Sequence, residues 1–286
     1  MKILLVNPPR YEGRPVVRED RCEITVPHVV TPHGFIYLAG ILLYENCNVD
    51  FIDANGYDLD FNYIRNKIEI ECPEIVIFKC TPETFYSDIQ VGYIAKSINN
   101  KIITVMICFS LTTVPRKVLE KTKYVDIFIT DYDYEISILK LIRCFDFENI
   151  DGIAYMIDEN IIVNPPNTER YNFSSLPLPA WHLIPDFNVY WTQIPSIRPC
   201  AYVESMKGCG MGCTFCTIGD VKPTFRDPKQ VVDEIEYLRK RGVRYINFFD
   251  ATIGKGTSGR HKRVRTGSCK NTLKFTIDSN SINICP

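Results

Sequence analysis

The sequence predicts an α/β protein. A doubly wound, five-stranded parallel sheet comes first, and the opening of a second strand–helix–strand unit follows it. Three observations carry this. Short apolar runs alternate five times with segments of helical period through residue 145. A proline-rich stretch then breaks the rhythm, with Pro165, Pro166, Pro177, Pro179, Pro185, Pro195 and Pro199. Beyond it, one more apolar strand runs straight into Cys-Gly-Met-Gly-Cys-Thr-Phe-Cys at 209–216.

The elements follow in order. Lys2 to Val6 is an apolar strand closed by Asn7-Pro8-Pro9. Phe35 to Glu45 reads as a helix with Leu38, Ile41 and Leu42 on one face. Val49 to Ile52 is a strand ending in the turn residues Asp53-Ala54-Asn55-Gly56. Leu59 to Ile70 is helical, Glu74 to Phe78 a β-branched strand, and Phe85 to Ile98 helical with Ile89, Tyr93 and Ile94 at helical spacing. Ile102 to Ile107 and Val125 to Ile129 are strands; Val114 to Lys121 and Tyr134 to Arg143 are helices. Five such units imply a parallel sheet covered on both faces, with ligands beyond the carboxyl ends of its strands. Ile153 to Ile157 and Ile161 to Val163 form a hairpin around Asp158-Glu159-Asn160. Repeated proline excludes helix or central strand after it, and Trp181, Phe187, Tyr190 and Trp191 imply that this connector packs down. Pro199 to Ser205 is the next strand. Asp227 caps a helix through Arg241, with Pro228 in its first turn and Gly242 closing it. Tyr245 to Phe249 is the following strand.

Lys plus Arg is 33 and Asp plus Glu is 34. That balance argues against nucleic acid as a partner of the whole chain. No apolar run approaches the ~20 residues of a membrane span, and the four apolar residues Ile3 to Val6 are too short for a signal peptide. A cytoplasmic protein is expected. Its twelve cysteines therefore do not read as a disulfide framework, and nine scattered ones read mostly as small buried hydrophobes.

The other three stand apart. Independent placement predicts roughly 0.02 occurrences of C-x3-C-x2-C at this cysteine content. Three thiolates on one loop bind a soft metal centre. Zinc would need a fourth ligand from Cys200 or Cys269. A four-iron cluster would keep one iron open for a non-protein ligand. Gly208, Gly210 and Gly212 let the loop wrap such a group closely.

Glu204 to Cys209, followed by Cys213-Thr214-Phe215-Cys216, resembles the radical S-adenosylmethionine enzyme signature, with the aromatic Phe215 just before the last cysteine. The resemblance implies a [4Fe–4S] cluster on Cys209, Cys213 and Cys216, S-adenosylmethionine on its open iron, and reductive cleavage to a 5′-deoxyadenosyl radical. It implies a full or partial (β/α) barrel and a reducing partner such as flavodoxin or ferredoxin. Asp250, at the end of the second barrel-like strand, becomes a candidate for the amino or ribose groups of S-adenosylmethionine. The N-terminal half resembles the flavodoxin-like cobalamin-binding domain that precedes many radical S-adenosylmethionine domains, on Val6-Asn7-Pro8-Pro9, Pro32-His33-Gly34 and Val49 to Asp53. Leu176-Pro177-Leu178-Pro179-Ala180-Trp181 is similar to the connector of these enzymes. Cobalamin is then an expected cofactor, with Thr81, Thr84 and His33 as candidate contacts. The chain lacks D-x-H-x-x-G, so no histidine ligand from the protein is expected. Where such domains carry glycine after strands four and five, this chain has Phe109 and Thr130.

The expected organisation is a cobalamin-binding-type domain at 1–147, a hairpin and connector at 148–198, the start of a radical S-adenosylmethionine barrel at 199–253, and a disordered tail at 254–286. Only 70 residues follow Cys216, whereas six barrel units need roughly 150 or more. A C-terminally truncated enzyme is therefore expected, with an unpaired sheet edge beside Tyr245 to Phe249. The expected function is methyl transfer, cyclisation or rearrangement on a small-molecule or peptide substrate that the residues do not identify. The alternatives are an impaired iron–sulfur and cobalamin-binding remnant, or a zinc-stabilised interaction module. The basic run Arg260 to Arg265 lacks interleaved aromatics and reads as a solvated tail.

Overall fold

A computed structural model describes residues 1–19, 22–23, 28–157, 159–192, 198–251, 275–278 and 281–284. Of the tail expected to be disordered at 254–286, only 275–278 and 281–284 are described, as strands; the basic run at 260–265 and Cys269 and Cys285 lie outside the described residues. The chain divides into two compact units, one of residues 1–27 and 41–171, the other of residues 28–40 and 172–286.

The first unit is built on β1 (Lys2–Asn7), β2 (Asn48–Asp53), β3 (Ile75–Lys79), β4 (Ile103–Ile107) and β5 (Ile127–Ile129). All five run parallel, in the order β2-β1-β3-β4-β5. Ile3 lies beside Val49 on one side and Ile75 on the other, and Val105 beside both Ile77 and Ile127. β3 is buried at every position, as a strand covered on both faces must be. Helices α1 (His33–Tyr44), α2 (Phe61–Glu71), α3 (Phe85–Asp88), α4 (Gln90–Ile98), α5 (Pro115–Glu120) and α6 (Tyr134–Cys144) make the crossovers. The Asp60 side chain accepts from the Tyr63 N–H at 2.9 Å and so starts α2, satisfying one orphan donor of its first turn. Ile64 and Ile68 then face the sheet, among Val6, Phe78, Met106 and Phe128.

The hairpin does something periodicity does not reveal. β6 (Ile153–Ile157) pairs antiparallel with β5, and β7 (Asn160–Val163) with β6, so the sheet has seven strands rather than five. Alternation identifies a strand but not its neighbour; here the hairpin covers the edge that β5 would otherwise expose.

The order 2-1-3 puts the topological switch point between β1 and β3, where ligands sit in such sheets. Side chains of the chain itself crowd that end. Arg18 donates to both carboxylate oxygens of Asp88, at 3.0 and 2.8 Å, and to the carbonyls of Pro8 and Pro9 at 2.9 and 2.8 Å. Lys79 pairs with Glu19, and both are buried. Buried ions persist only with such partners.

The second unit holds β8 (Cys200–Val203), β9 (Met206–Lys207), β10 (Thr224–Phe225), α7 (Pro228–Lys240) and β11 (Tyr245–Phe248). β8 and β11 are parallel, with Cys200 beside Tyr245 and Val203 beside Phe248. As the sequence predicts, Asp227 caps α7, accepting from the Lys229 N–H at 2.8 Å. The proline-rich connector forms three single 3-10 turns, at Phe173–Ser175, Trp181–Leu183 and Phe187–Val189, with Trp181, Phe187 and Tyr190 buried. One expectation fails here. β12 (Phe275–Asp278) and β13 (Ser281–Ile284) form a hairpin, and β13 pairs antiparallel with β11 through Tyr245, Ile246 and Asn247. The edge expected to be open beside Tyr245 is therefore paired. A four-residue strand leaves too little period to be read from sequence among Gly, Ser and Asn. No helix among the described residues is long and apolar enough to cross a membrane.

Asp88→Ala strips Arg18 of its charge partner inside the first unit. Leaving one member of a buried pair alone costs about 3–5 kcal/mol, to be read from urea unfolding. Thr84→Val removes only the hydroxyl that donates to Asp88 at 2.6 Å and should cost about 1 kcal/mol.

Candidate functional site

β8 aims the chain into the cysteine loop. The two-residue ladder of β9 with β10 closes the loop's neck, pairing Met206 with Phe225 and Lys207 with Thr224. Within it, Cys209 N–H donates to the Val221 carbonyl at 2.9 Å and Gly212 N–H to Gly219 at 2.8 Å. Cys216 N–H donates to Cys213 at 3.1 Å, and Gly219 N–H to Cys216 at 3.1 Å. The backbone thus folds back on itself and carries Cys213 and Cys216 on its outer turn. Cys209 is buried at the root, while Cys213 and Cys216 are exposed. Phe215 is 90% exposed and Met211 56%.

Two glycines are needed for this path. Gly208 has φ +90°, and a Cβ there would stand 2.9 Å from the Lys222 carbonyl oxygen. At Gly219 a Cβ would stand 2.7 Å from the Cys213 carbonyl oxygen and 3.0 Å from its nitrogen. The second was not foreseen; it lies outside the cysteine spacing.

The loop's root is held from several directions. Glu204 N–H donates to the Tyr37 hydroxyl at 2.8 Å, and the Glu204 carbonyl accepts from Arg226 Nη1 at 3.0 Å. Asp250 Oδ1 accepts from Ser205 N–H at 2.7 Å and Met206 N–H at 3.2 Å, and its other oxygen accepts from the Ser205 hydroxyl. The Ser205 carbonyl accepts from Arg226 N–H at 3.0 Å. Arg226 in turn pairs with buried Glu234 of α7, and Trp181 Nε1 donates to that carboxylate at 2.6 Å. The guanidinium lies 5.4 Å from the centre of the Tyr37 ring. Burial, and then the Glu234 charge, push the Tyr37 phenol well above its ordinary range, so it serves as a neutral hydroxyl.

His33 also belongs to the second unit. Its Nδ1 lies 3.2 Å from the Thr31 carbonyl, its Nε2 3.4 Å from Glu204 Oε1, and its ring centre 4.6 Å from that of Phe249. Thr81 and Thr84 are in the first unit, 3.0 Å apart through their hydroxyls, and both bond to Asp88. Thus the second unit gathers His33, Asp250 and the three cysteines, and Thr81 and Thr84 form a separate group. Phe109 packs at a tilt of 50° against Tyr132 and Tyr134, ring centres 5.5 and 5.6 Å away. Arg226, Glu234, Arg18 and Asp88 were not singled out from sequence; the ion pairs Arg226–Glu234 and Arg18–Asp88 span 8 and 70 positions with no local pattern to link them. Cys200 is fully buried, and burial pushes its thiol up to about 12, so it stays protonated. Burial likewise raises Cys80.

Known proteins can now be set beside this arrangement. No family model matches the chain. An uncharacterized methyltransferase of Pyrococcus horikoshii is 26% identical over 261 residues, which cover 88% of this chain and 54% of that protein. The anaerobic magnesium-protoporphyrin IX monomethyl ester cyclase of Rubrivivax gelatinosus is 26% identical over 96% of this chain and 48% of the cyclase. The structure of the radical S-adenosylmethionine methyltransferase TsrM from Kitasatospora setae, with cobalamin and a [4Fe-4S] cluster bound, superposes with a TM-score of 0.63 at 16% identity, covering 92% of this chain and 50% of TsrM. The chain shares the fold of the half of TsrM that it covers. It spans about half the length of the curated relatives it matches.

Gly219→Ala should distort the cysteine turn while leaving the sheet of the second unit intact. We expect a loss of about 1–3 kcal/mol in the unfolding transition and faster proteolysis confined to residues 208–223. Wild-type stability would contradict the close approach at this position.

Proposed function

We propose that the chain is a cobalamin-dependent radical S-adenosylmethionine protein acting in methyl transfer, cyclisation or rearrangement. The observation that carries it is the loop: three thiols on one glycine-cradled turn at the carboxyl end of a strand, within this fold. The donor set fits a four-iron cluster. Thiolates are the ligands such clusters take, and three leave one iron open. The absence of a Cβ at Gly208 and Gly219 keeps the turn tight behind them. Among the described residues no three His, Cys, Asp or Glu side chains converge as the ligands of a single ion do. A cubane spreads its thiolates over different irons, so its ligands need not converge that closely.

Cys209, Cys213 and Cys216 would hold the cluster, and Phe215 would stand beside bound S-adenosylmethionine. When bound, the cluster supplies the electron that cleaves the sulfonium, and cobalamin supplies a methyl carrier. The chain's own contribution is to orient these groups and exclude water. At the carboxyl edge of the parallel sheet, Asn7 presents a buried amide oxygen with no hydrogen-bond partner among the described residues, its Nδ2 being committed to Asp53 at 2.7 Å. That orphan acceptor at the switch point supports the cobalamin reading. Thr81 and Thr84 are engaged with Asp88 and would support that edge from beneath. A flavodoxin or ferredoxin would deliver the electron, in a cytoplasmic setting, to an enzyme whose substrate is a small molecule or a peptide.

Anaerobic reconstitution tests this. The full chain should bind about four iron and four sulfide, and the reduced protein should release 5′-deoxyadenosine from S-adenosylmethionine. Cys213→Ala should abolish the low-temperature electron paramagnetic resonance signal; an unchanged signal refutes the assignment. Titration of the full chain with hydroxocobalamin should saturate in the micromolar range (on the order of −8 kcal/mol), and Asn7→Leu should weaken it. Zinc in place of iron and sulfide would favour an interaction module instead.

A further inference from the structure

Sequence pattern makes Asp250 a candidate contact to S-adenosylmethionine. The geometry gives it different work. At the root of the cysteine loop, Glu204, Ser205 and Met206 offer five backbone groups that no strand neighbour takes: three N–H and two carbonyls. Each is taken by something else. Tyr37 takes the Glu204 N–H, Arg226 both carbonyls through its side chain and its backbone, and Asp250 the Ser205 and Met206 N–H groups. Asp250 also holds the Ser205 hydroxyl. Asp250 is only 7% exposed, and both of its carboxylate oxygens accept hydrogen bonds from this turn.

We propose that Asp250, Tyr37 and Arg226 are positioning residues that lock the three peptide groups at the loop's root, and that this lock sets the direction in which Cys209 is presented. Cys209 follows Met206 by three residues, one of which, Gly208, is at φ +90°. A rotation at Ser205 would therefore swing the first thiol. Asp250 acts on the backbone and is not a ligand of S-adenosylmethionine. The part that concerns the cluster rests on the reading above; the lock itself does not.

The test uses the full chain with Tyr37→Phe, Asp250→Ala and Asp250→Asn. Before reconstitution, amide hydrogen exchange over residues 204–206 is measured. Loss of one such bond should speed it about fivefold in Tyr37→Phe and more in Asp250→Ala, with exchange in β11 and α7 unchanged. Asp250→Asn should rescue, since its amide oxygen can accept from both N–H groups and its amide nitrogen can donate to the Ser205 hydroxyl. After reconstitution, Tyr37→Phe and Asp250→Ala should lose iron to a chelator several-fold faster (about fivefold) and shift the paramagnetic resonance line shape. Asp250→Asn should match wild type in both, and in the spectral change on adding S-adenosylmethionine. Unchanged exchange in Tyr37→Phe and Asp250→Ala overturns the lock. A cluster of normal spectrum in Asp250→Asn that no longer responds to S-adenosylmethionine overturns the assignment of Asp250 in favour of direct contact. A wild-type chain that takes up no iron refutes the cluster reading alone, because the exchange measurement still decides the lock.

Discussion

Among the described residues, strand β8 has a strand neighbour on one side only, β11. The N–H groups of Tyr202 and Glu204, two residues apart, therefore point away from the sheet. A buried donor left unmade costs about 1–3 kcal/mol, and both of these are buried. The chain answers with side chains from residues 28–40: Thr31 Oγ1 accepts from Tyr202 at 2.8 Å, and the Tyr37 hydroxyl accepts from Glu204 at 2.8 Å. Two hydroxyls thus stand where a strand would. This explains why the first part of α1 belongs with the cysteine loop although about 170 residues separate them. The loop's aim, the burial of Arg226 and the pairing of His33 with Glu204 all depend on that edge.

A buried charge sits at the centre of each unit's working end. In the second, Arg226 is wedged among Tyr37, Phe173 and Glu234, with Trp181 donating to the same carboxylate. In the first, Arg18 spans Asp88 and two proline carbonyls. Such pairs contribute less to net stability than to specificity of packing, since desolvation offsets much of the attraction. Their value here is geometric. Guanidinium donors lie in one plane at fixed angles, so each arginine ties several acceptors into one arrangement beside the carboxyl ends of strands.

The thiols divide by the same logic. Cys200 and Cys80 are buried, and burial favours their neutral form. Cys213 and Cys216 lie at the surface of a turn whose backbone is hydrogen-bonded behind them. A soft metal centre selects thiolates it can reach. Exposure alone does not single out the loop, since Cys72 and Cys144 are exposed too; the C-x3-C-x2-C spacing does.

The parallel sheet was legible because its strands are built on short apolar runs and its crossovers have helical period; both are local properties. The cysteine triplet was legible for the same reason, since its spacing is closed within eight residues. The cap at Asp227 belongs to this class too. What the sequence could not announce is pairing over distance. Nothing in Ile153 to Val163 says which strand it joins, and nothing in Ser281 to Ile284 says that it lies beside Tyr245. Nor does Asp250 declare that its carboxylate turns back onto Ser205 and Met206, or Tyr37 that it takes a peptide N–H of Glu204. These were decided by the tertiary structure, because an edge strand's unpaired backbone groups take the nearest acceptors that packing brings within hydrogen-bond reach. Residues 167 positions apart become neighbours only then.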